Sequence, residues 1–297
     1  MKHKKSGNIY FTRHKCIEDF ELVCGEGVLN TFPVHLHKQY CIGAIVNGNA
    51  VLTLHNREFV LCPGSLYFIN PEEPHQIKPK ENDGFNHVVL TFGKRFVSKY
   101  FAQSKDTFIP FSFKVPHMYI KDVLVKIMDF VAEVKAGGSP DSIEYKLMLI
   151  LLEVYPVLSL EEPCGETGNV SSGFDRVTYS GIDSENTAEH NPDAVSKLVE
   201  YLEEHPRNNI SLQEMAALAG LSKFHFLRLF KDKIGIPPYE YQLQLKIKLA
   251  RKLLLEGYSA AFISLELGFT DQSHFIRFFK RNMGITPGQF VKFNHNL

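Results

Sequence analysis

A stretch near the C-terminal end of the sequence occurs twice. The first copy is Ser211–Tyr241 and the second is Ser259–Phe290. Gly220 matches Gly268 at an offset of 48 residues. At an offset of 49, the matching residues of the two copies are Phe226 and Phe275, Arg228 and Arg277, Phe230 and Phe279, Lys231 and Lys280, Gly235 and Gly284, Pro238 and Pro287, and Tyr241 and Phe290. Such a repeat indicates one supersecondary unit used twice, which constrains the fold more than any other feature of this chain.

Each copy predicts a helix, a tight glycine turn and a second helix. Ser211 and Glu214 have the spacing of a capping box, so a helix should begin there. Gly220 can end that helix in a left-handed conformation. The second helix of a helix-turn-helix unit can enter a DNA major groove. The alternative is a pair of helical hairpins in an ordinary bundle. The repeat and the shared Arg-x-Phe-Lys pattern favour the helix-turn-helix interpretation.

The second copy resembles the AraC/XylS family of transcription regulators. The residues that carry the resemblance are Gly268-Phe269-Thr270-Asp271-Gln272-Ser273-His274-Phe275, Arg277, Phe279-Lys280 and Gly284-Ile285-Thr286-Pro287. The match covers about the last third of the chain, and a weaker one covers the N-terminal half. The resemblance implies an α+β multidomain protein. It would have an N-terminal cupin-like β-barrel with trailing helices and a C-terminal all-α double helix-turn-helix domain.

The second helix of each copy would read the DNA, and we call these two helices the reading helices. Candidate DNA-binding residues lie on their outward faces. In the first copy they are Lys223, Phe224, His225, Leu227 and Arg228, and in the second they are Asp271, Gln272, Ser273, His274, Ile276 and Arg277. Gln can pair with adenine, Arg can pair with guanine, and apolar groups can touch a thymine methyl. The two arginines could instead bind phosphate or a local acid. Lys231, Lys280 and Arg281 fit phosphate contacts, with a solvated helix face as the alternative.

A helix beginning at Pro237-Pro238 and running to Gly257 should connect the two copies. A helix of that length is about 27 Å long, which suits two reading helices one DNA turn apart. The charge distribution agrees with a polyanionic partner. Residues 192–297 carry 14 Lys and Arg against 10 Asp and Glu, while the whole chain has 33 of each. The predicted partner is double-stranded DNA.

The N-terminal half reads as short strands separated by turns. Predicted strands are Cys41–Val46, Ala50–Leu54, Glu58–Leu61 and Ser65–Ile69, within a β region from residue 8 to about residue 93. Evenly spaced short strands favour a sandwich or small barrel. The histidine pair His35-Leu36-His37 and the segment Asn70–His75 resemble a cupin-type barrel.

Helices should follow the strands. The apolar spacing predicts one from Pro116 to about Ala136, and Ser139-Pro140 starts another. Its segment Lys146–Tyr155 is apolar almost all round, which predicts burial on several sides, either against the barrel or in a dimer interface. Residues 159–191 are rich in Gly, Ser, Glu, Asn and Thr and read as a flexible linker. The predicted domains are therefore 1–158 for sensing or dimerisation and 192–297 for DNA binding.

His35, His37, Tyr40 and His75 are the candidate ligand-pocket residues. Histidines at H-x-H spacing on a strand share one face, and a third His, with His87 as a further candidate, could complete a metal site. A carboxylate that metal cupins add nearby is missing at Gln39–Ile42. Three interpretations remain: a small-molecule pocket, structural histidines or a metal site. We predict no bound metal and no cofactor.

The sequence predicts a cytoplasmic DNA-binding transcription regulator controlled by a small molecule in the barrel. The alternatives are a metal-dependent cupin enzyme fused to a DNA-binding domain and a ligand-independent dimeric regulator. We do not expect the protein to be an enzyme, because the sequence shows neither the spacing of a catalytic triad nor a phosphate-binding loop. Further expected partners are RNA polymerase, if the protein is an activator, and a second copy in a homodimer. The five cysteines fit a reduced compartment, and neither a signal peptide nor a membrane span is predicted.

Overall fold

The computed structural model describes residues 7–13, 17, 19–82, 84–101, 117–119, 121–159 and 194–294. The strands of these regions are β1 (Asn8–Arg13), β2 (Glu21–Val28), β3 (Tyr40–Asn47), β4 (Ala50–Leu54), β5 (Arg57–Leu61), β6 (Ser65–Ile69), β7 (His75–Pro79), β8 (Phe85–Phe92) and β9 (His117–Tyr119). They form a six-stranded sheet in the order β1-β2-β8-β3-β6-β9 and a three-stranded sheet in the order β5-β4-β7.

The larger sheet buries both of its faces. Successive side chains of a strand point to opposite faces, so neighbouring residues of β3 enter two different cores. Ile42 and Ala44 pack in one core with the helices that follow the sheets. Cys41 and Ile45 pack in the other core with residues of the smaller sheet such as Leu52. We call the space between the two sheets the barrel interior.

In the described part of the β domain, β8 is followed by the helices α1 (Lys94–Phe101), α2 (Lys121–Lys135) and α3 (Pro140–Ser159), with β9 between α1 and α2. The prediction that a helix begins at Pro116 was wrong, because His117–Tyr119 forms β9. This short strand pairs with β6, whose backbone groups would otherwise form the edge of the sheet.

Helix α3 is buried along one side only. Ile143, Leu147 and Leu151 lie in the core, whereas Leu149 and Leu152 are exposed. Within one chain, α3 packs on the sheet and α2 as an outer layer, and its burial on several sides, against the barrel or in a dimer interface, stays a prediction. The predicted linker, 159–191, lies outside the described residues except for Ser159, the last residue of α3.

The C-terminal region is helical. Its helices are α4 (Ala194–Glu204), α5 (Leu212–Leu218), α6 (Lys223–Ile234), α7 (Pro238–Leu255), α8 (Ala260–Glu266), α9 (Gln272–Met283) and α10 (Pro287–Asn294). Helices α5 and α6 form the first repeat, α8 and α9 form the second, and α7 connects them. The fold class predicted from the sequence is confirmed, with a β domain followed by a helix-turn-helix region.

The second repeat packs directly on the barrel. One continuous core joins barrel-interior residues such as Ile45 with Phe275 and Phe279 of α9. Helix α10 lies against β1, where the rings of Phe11 and Phe290 meet edge to face at 5.5 Å. The second helix-turn-helix unit therefore covers the part of the interior face that the smaller sheet leaves open.

Candidate DNA interface and sensor interior

The first reading helix, α6, has a defined start and end. Ser222 caps it by accepting a hydrogen bond from the backbone N–H of His225 at 3.4 Å. Gly235 ends it in the left-handed region, with φ of 85°. Phe226 and Phe230 are fully buried. The opposite face is therefore presented to solvent.

That outward face carries the predicted residues of the first copy. Lys223, Phe224 and Arg228 are exposed, while His225 and Leu227 are half-buried. Phe224 is 88% exposed, more than any other large apolar side chain in the described residues. Burial of an aromatic ring normally stabilises a fold, so a ring this exposed contributes little to the core.

The second reading helix, α9, also begins at a side-chain cap and ends at a glycine, but its capping residue is an aspartate. Asp271 caps it, since its Oδ1 accepts a hydrogen bond from the backbone N–H of His274 at 2.7 Å. Gly284 ends the helix at φ of 75°. Gln272, Ser273 and Arg277 are exposed beyond the cap.

Two predicted contact residues of the second copy have local structural roles. The carboxylate of Asp271 is engaged by the helix N-terminus. The ring of His274 meets Phe269 edge to face at 5.4 Å. Ile276 is half-buried beside them. The more accessible polar groups at this end of α9 are Gln272 and Ser273.

The basic residues predicted to meet phosphate lie further along the reading helices. Lys231 of α6 is exposed, and so are Lys280 and Arg281 of α9. A cleft between α9 and the barrel is lined by Asn30, Thr31, Arg277, Lys280 and Arg281. The loop after β2 thus lies beside the cations of the second reading helix.

A lysine that sequence reasoning did not assign to the site fixes the turn before α9. Lys246 of α7 is buried, and its Nζ donates to the backbone carbonyl of Leu267 at 2.7 Å. It also bonds the side-chain oxygen of Asn209. Burial lowers the pKa of Lys246. The connector helix is thereby tied to both repeats.

Three of the four predicted pocket residues lie together. The ring centroids of His35 and His75 are 4.3 Å apart, and those of His37 and His75 are 5.0 Å apart. Each Nδ1 lies within hydrogen-bond distance of a backbone carbonyl, that of Pro33, Gln39 or Glu73 respectively for His35, His37 and His75. Burial lowers the pKa of all three, that of His37 to about 4. The cluster is therefore uncharged at neutral pH.

Tyr40 does not join this cluster. It lies on the face of β3 that meets the helices, and its ring stacks on Phe92 at 5.9 Å. His87 is also separate, buried in the barrel interior beside Phe85 at 5.0 Å. Within the described residues, no group of three or more His, Cys, Asp or Glu is arranged to hold a metal ion.

The segment carrying His35 and His37 contacts the DNA-binding half. Gln244 of α7 donates to the carbonyl of Val34 at 3.0 Å and accepts from the N–H of Leu36 at 3.3 Å. Leu36 packs against the core of the first repeat. The side-chain amide of Gln244 thus makes the pair of hydrogen bonds that the backbone of a neighbouring strand would make.

Comparison with known proteins agrees with this architecture. A model of the AraC-like ligand binding domain matches residues 23–148, and a helix-turn-helix domain model matches residues 215–292. The chain is 27% identical over 252 residues to the HTH-type transcriptional regulator YbfI of Bacillus subtilis, covering 84% of this chain and 83% of YbfI. It is 21% identical over 250 residues to the transcriptional activator RhaS of Escherichia coli, covering 82% and 81%.

Solved structures show the same fold. The fatty acid-bound ToxT of Vibrio cholerae superposes with a TM-score of 0.52 at 12% identity, covering all of this chain and 99% of ToxT. Together, a β-sheet ligand-binding domain and a paired helix-turn-helix region define a DNA-binding transcription regulator. The chain belongs to the AraC family of these regulators. In the part of the chain that the structure describes, no helix is long and apolar enough to span a bilayer.

Proposed function

We propose that the protein recognises one specific DNA site with α6 and α9 and that a small molecule bound by the barrel changes its DNA affinity. The observation that carries the proposal is the equivalent capping and exposure of the two reading helices. Both helices have their N-terminal ends exposed to solvent. Helix α7, which has 18 residues and is about 27 Å long, connects the two repeats rigidly. Two successive major grooves on one face of B-DNA are about 34 Å apart.

The residue roles follow from side-chain chemistry and exposure. Gln272, Ser273 and Arg277 are the proposed base contacts of α9, because amide, hydroxyl and guanidinium groups can bond base edges. Lys280 and Arg281 are proposed to bind phosphates. Asp271 and His274 would act by holding the helix end in position.

The first reading helix would use a more apolar surface. Phe224 and Leu227 are proposed to touch thymine methyl groups or sugars, with Lys223, His225 and Arg228 at bases or phosphates. The second copy would then supply more of the hydrogen-bonded readout. Unequal copies suit an asymmetric DNA site.

Small-molecule control is supported by the contact between the barrel and α9. Because the barrel interior and the second repeat share one core, a ligand that shifts β1 would shift the end of α9 as well. The Asn30 and Thr31 side chains line the same cleft as the phosphate-binding cations. The barrel and α9 would exchange between two arrangements that differ in DNA affinity. A ligand that binds one arrangement more tightly would increase its population and so change DNA binding. A fatty acid is bound by ToxT, so acidic lipids belong among the compounds to test.

Binding-site selection with the full chain tests the DNA proposal. The selected site should contain two half-sites about one helical turn apart, and its affinity should fall steeply with salt. Gln272→Ala and Arg277→Ala should each change base preference at one half-site, by about 1–3 kcal/mol. Lys280→Ala should instead weaken all sequences alike. Unchanged preference in both base-contact variants would reject the assignment.

A homodimer is the proposed assembly. Exposed apolar side chains occur on both α2 and α3: Val125 and Met128 on α2, and Tyr145, Leu149 and Leu152 on α3. Exposed apolar surface of this kind is typical of protein interfaces. Leu149→Glu should shift the protein to monomer in sedimentation, whereas Lys126→Glu beside it should not. RNA polymerase would be a partner if the protein activates transcription, which a promoter assay with the selected site would decide.

A further inference from the structure

The loop between β2 and β3 contacts the DNA-binding region from one repeat to the other. We call its residues 30–38 the strap. Apart from an isolated bridge at His35, the strap has no regular secondary structure. Loops usually run over the surface with few partners. The strap instead meets the second reading helix, the connector helix and the first repeat in turn, as the next paragraphs describe.

One end of the strap holds the end of the second reading helix. The side-chain amide of Asn30 donates to the backbone carbonyl of Gly284 at 3.2 Å. A helix leaves carbonyls unpaired at its C-terminal end, and Asn30 satisfies one of them. A Cβ on Gly284 would lie 3.3 Å from the ring of Phe32, so the strap is in close contact with the residue that ends α9.

The middle of the strap is held by the connector helix α7. Gln244 accepts from the N–H of Leu36 at 3.3 Å and donates to the carbonyl of Val34 at 3.0 Å. Because both ends of one planar amide are used, the strap cannot slide or rotate on α7 without losing a hydrogen bond. The side chain of Leu36 packs against the core of the first repeat.

The other end of the strap reaches the first repeat. The Nζ of Lys38 lies 2.6 Å from Oε2 of Glu203, whose Oε1 accepts from the hydroxyl of Tyr241 at 2.7 Å. The barrel also meets the end of α6, since a Cβ on Gly235 would lie 2.2 Å from Pro74. The glycines that end both reading helices therefore face the barrel, while the N-terminal ends of both helices are exposed.

The strap is also fixed to the barrel. His35 and His75 exchange both of their backbone hydrogen bonds, each at 2.9 Å. The side chain of Gln76 donates to the carbonyl of Phe32 at 2.7 Å. A segment that is bonded on both sides passes the position of the barrel to the helices that it contacts.

We propose that the strap, with Gln244 as its positioning residue on α7, fixes the separation and orientation of the two reading helices, so that the protein accepts one spacing between the half-sites of its DNA. The inference rests on the proposed function. The two repeats have separate cores. They are joined to each other through α7, Lys246 and the ion pair of Arg207 with Glu266 at 2.9 Å. The strap adds a connection that passes through the barrel.

The contacts of the strap favour support of DNA binding over a block of it. The strap and Pro74 meet the C-terminal ends of the reading helices, whereas the N-terminal ends are the parts proposed to enter the major groove. Loss of a strap contact should therefore weaken specific binding and relax the spacing requirement.

Equilibrium binding of the full chain to a spacing series of duplexes tests the proposal. The series contains the selected site and versions with one base pair added or removed between the half-sites. One base pair turns the second groove by about 35° and moves it by about 3.4 Å, so either change should weaken wild-type binding by about tenfold or more. We call this loss the spacing penalty.

Two variants loosen the strap at different points. Gln244→Met keeps the size of the side chain but removes both hydrogen bonds, and Asn30→Ala removes the contact with the end of α9. Each should weaken binding to the selected site by about tenfold and reduce the spacing penalty to about threefold or less. An unchanged penalty in both variants, or tighter binding of the selected site by Gln244→Met, would overturn the proposal.

Two controls separate positioning from stability. Leu147→Ala removes a buried side chain of α3, which destabilises the β domain without touching the strap. Gln213→Met makes the same substitution at an exposed position of α5. Both should keep the full spacing penalty at a temperature at which circular dichroism shows every variant folded. A reduced penalty in Leu147→Ala would mean that general destabilisation, and not the strap, relaxes the spacing.

The wild-type results distinguish failure of this inference from failure of the proposed function. A wild type that selects no DNA site, or a site with a single half-site, would reject the proposed function. A wild type that binds two half-sites but tolerates every spacing would keep the proposed function and reject the role of the strap. The same conclusion follows if the wild type requires one spacing and both strap variants require it equally.

Discussion

At the scale of residues, Lys246 illustrates how a charged side chain can stabilise the helix-turn-helix region. Its ammonium group is buried, and it bonds the carbonyl of Leu267, the residue that ends α8, and Asn209 in the loop before α5. A buried ammonium is tolerated only when its donors are used. Its neighbour Lys248 on the same helix is exposed.

We expect Lys246→Ala to reduce the free energy of unfolding by about 2 kcal/mol, because the Leu267 carbonyl and the Asn209 amide lose their donor. Lys248→Ala should change it by less than about 0.5 kcal/mol. Urea denaturation of both variants measures this. Equal losses would mean that the buried bonds do not stabilise the fold.

The buried histidines predict a pH dependence of stability. The folded-state pKa of His87 is about 4, below its ordinary value, so protonation favours the unfolded chain. Stability is therefore complete above about pH 6.5 and is lost as the pH falls toward 4. His87 alone should account for about 2 kcal/mol between pH 7 and pH 5.

Urea denaturation at the two pH values measures this contribution. His87→Leu should lose about 2 kcal/mol of the difference, while His205→Gln, an exposed residue of the DNA-binding half, should keep it in full. If the free energy of unfolding changes equally between the two pH values in His87→Leu and in the wild type, His87 is not buried in its neutral form.

Residue pairs within a repeat could be predicted from the sequence, but contacts across the sheet could not. The equivalent core residues Phe226 and Phe275 followed from the repeat and are both fully buried. Tyr40 and His87 depended on which face of a strand points inward. One residue of register reverses that choice, so neither position was fixed by pattern alone.

At the scale of elements, capping decides how α9 is presented. Asp271→Ala should destabilise the domain by about 1 kcal/mol, because the N–H of His274 loses its acceptor. Asp271→Ser keeps an acceptor and should cost little. If the carboxylate itself contacts DNA, the two variants should weaken DNA binding equally despite their different stabilities.

The elements that could be predicted are those with local signals. Strand Ser65–Ile69 and the connector were predicted from turn residues and helix caps, and both are present. Strand β9 and helix α10 were missed, because each is short and is held by distant partners, β6 and β1 respectively. Tertiary contact rather than local propensity selects such elements.

The glycine that ends α9 makes a further prediction. Gly284→Ala should cost more than Gly257→Ala, although both residues have positive φ. Each substitution bears about 1–2 kcal/mol of backbone strain. A Cβ on Gly257 meets open space, whereas one on Gly284 meets Ile9 of the barrel. Overpacking adds about 1–3 kcal/mol there, and the extra cost should shrink when Ile9→Ala is added. Thermal unfolding of Gly284→Ala, Gly257→Ala and the double variant measures these costs.

At the scale of the whole molecule, one core and a half-buried ion pair join the β domain to the helix-turn-helix region. Arg251 of α7 bonds Glu21 of β2, and its guanidinium lies 5.5 Å from the rings of both Phe11 and Phe290. Arg13 also reaches Glu21, at 3.0 Å, but is exposed. The two halves should therefore unfold together rather than as independent domains.

Removing one partner of this pair gives the sharpest test of that coupling. Glu21→Gln should cost about 1–3 kcal/mol, because the half-buried guanidinium of Arg251 would lose its carboxylate partner. Arg13→Gln removes only an exposed partner of the same carboxylate and should cost less than about 1 kcal/mol. The double variant Glu21→Leu with Arg251→Met should recover most of the loss, since no buried charge remains. Calorimetry of the full chain should give one transition for the wild type and a transition at lower temperature for Glu21→Gln, because the shared core remains. A single transition in Glu21→Gln at the wild-type temperature would mean that the two halves are not held together by this pair.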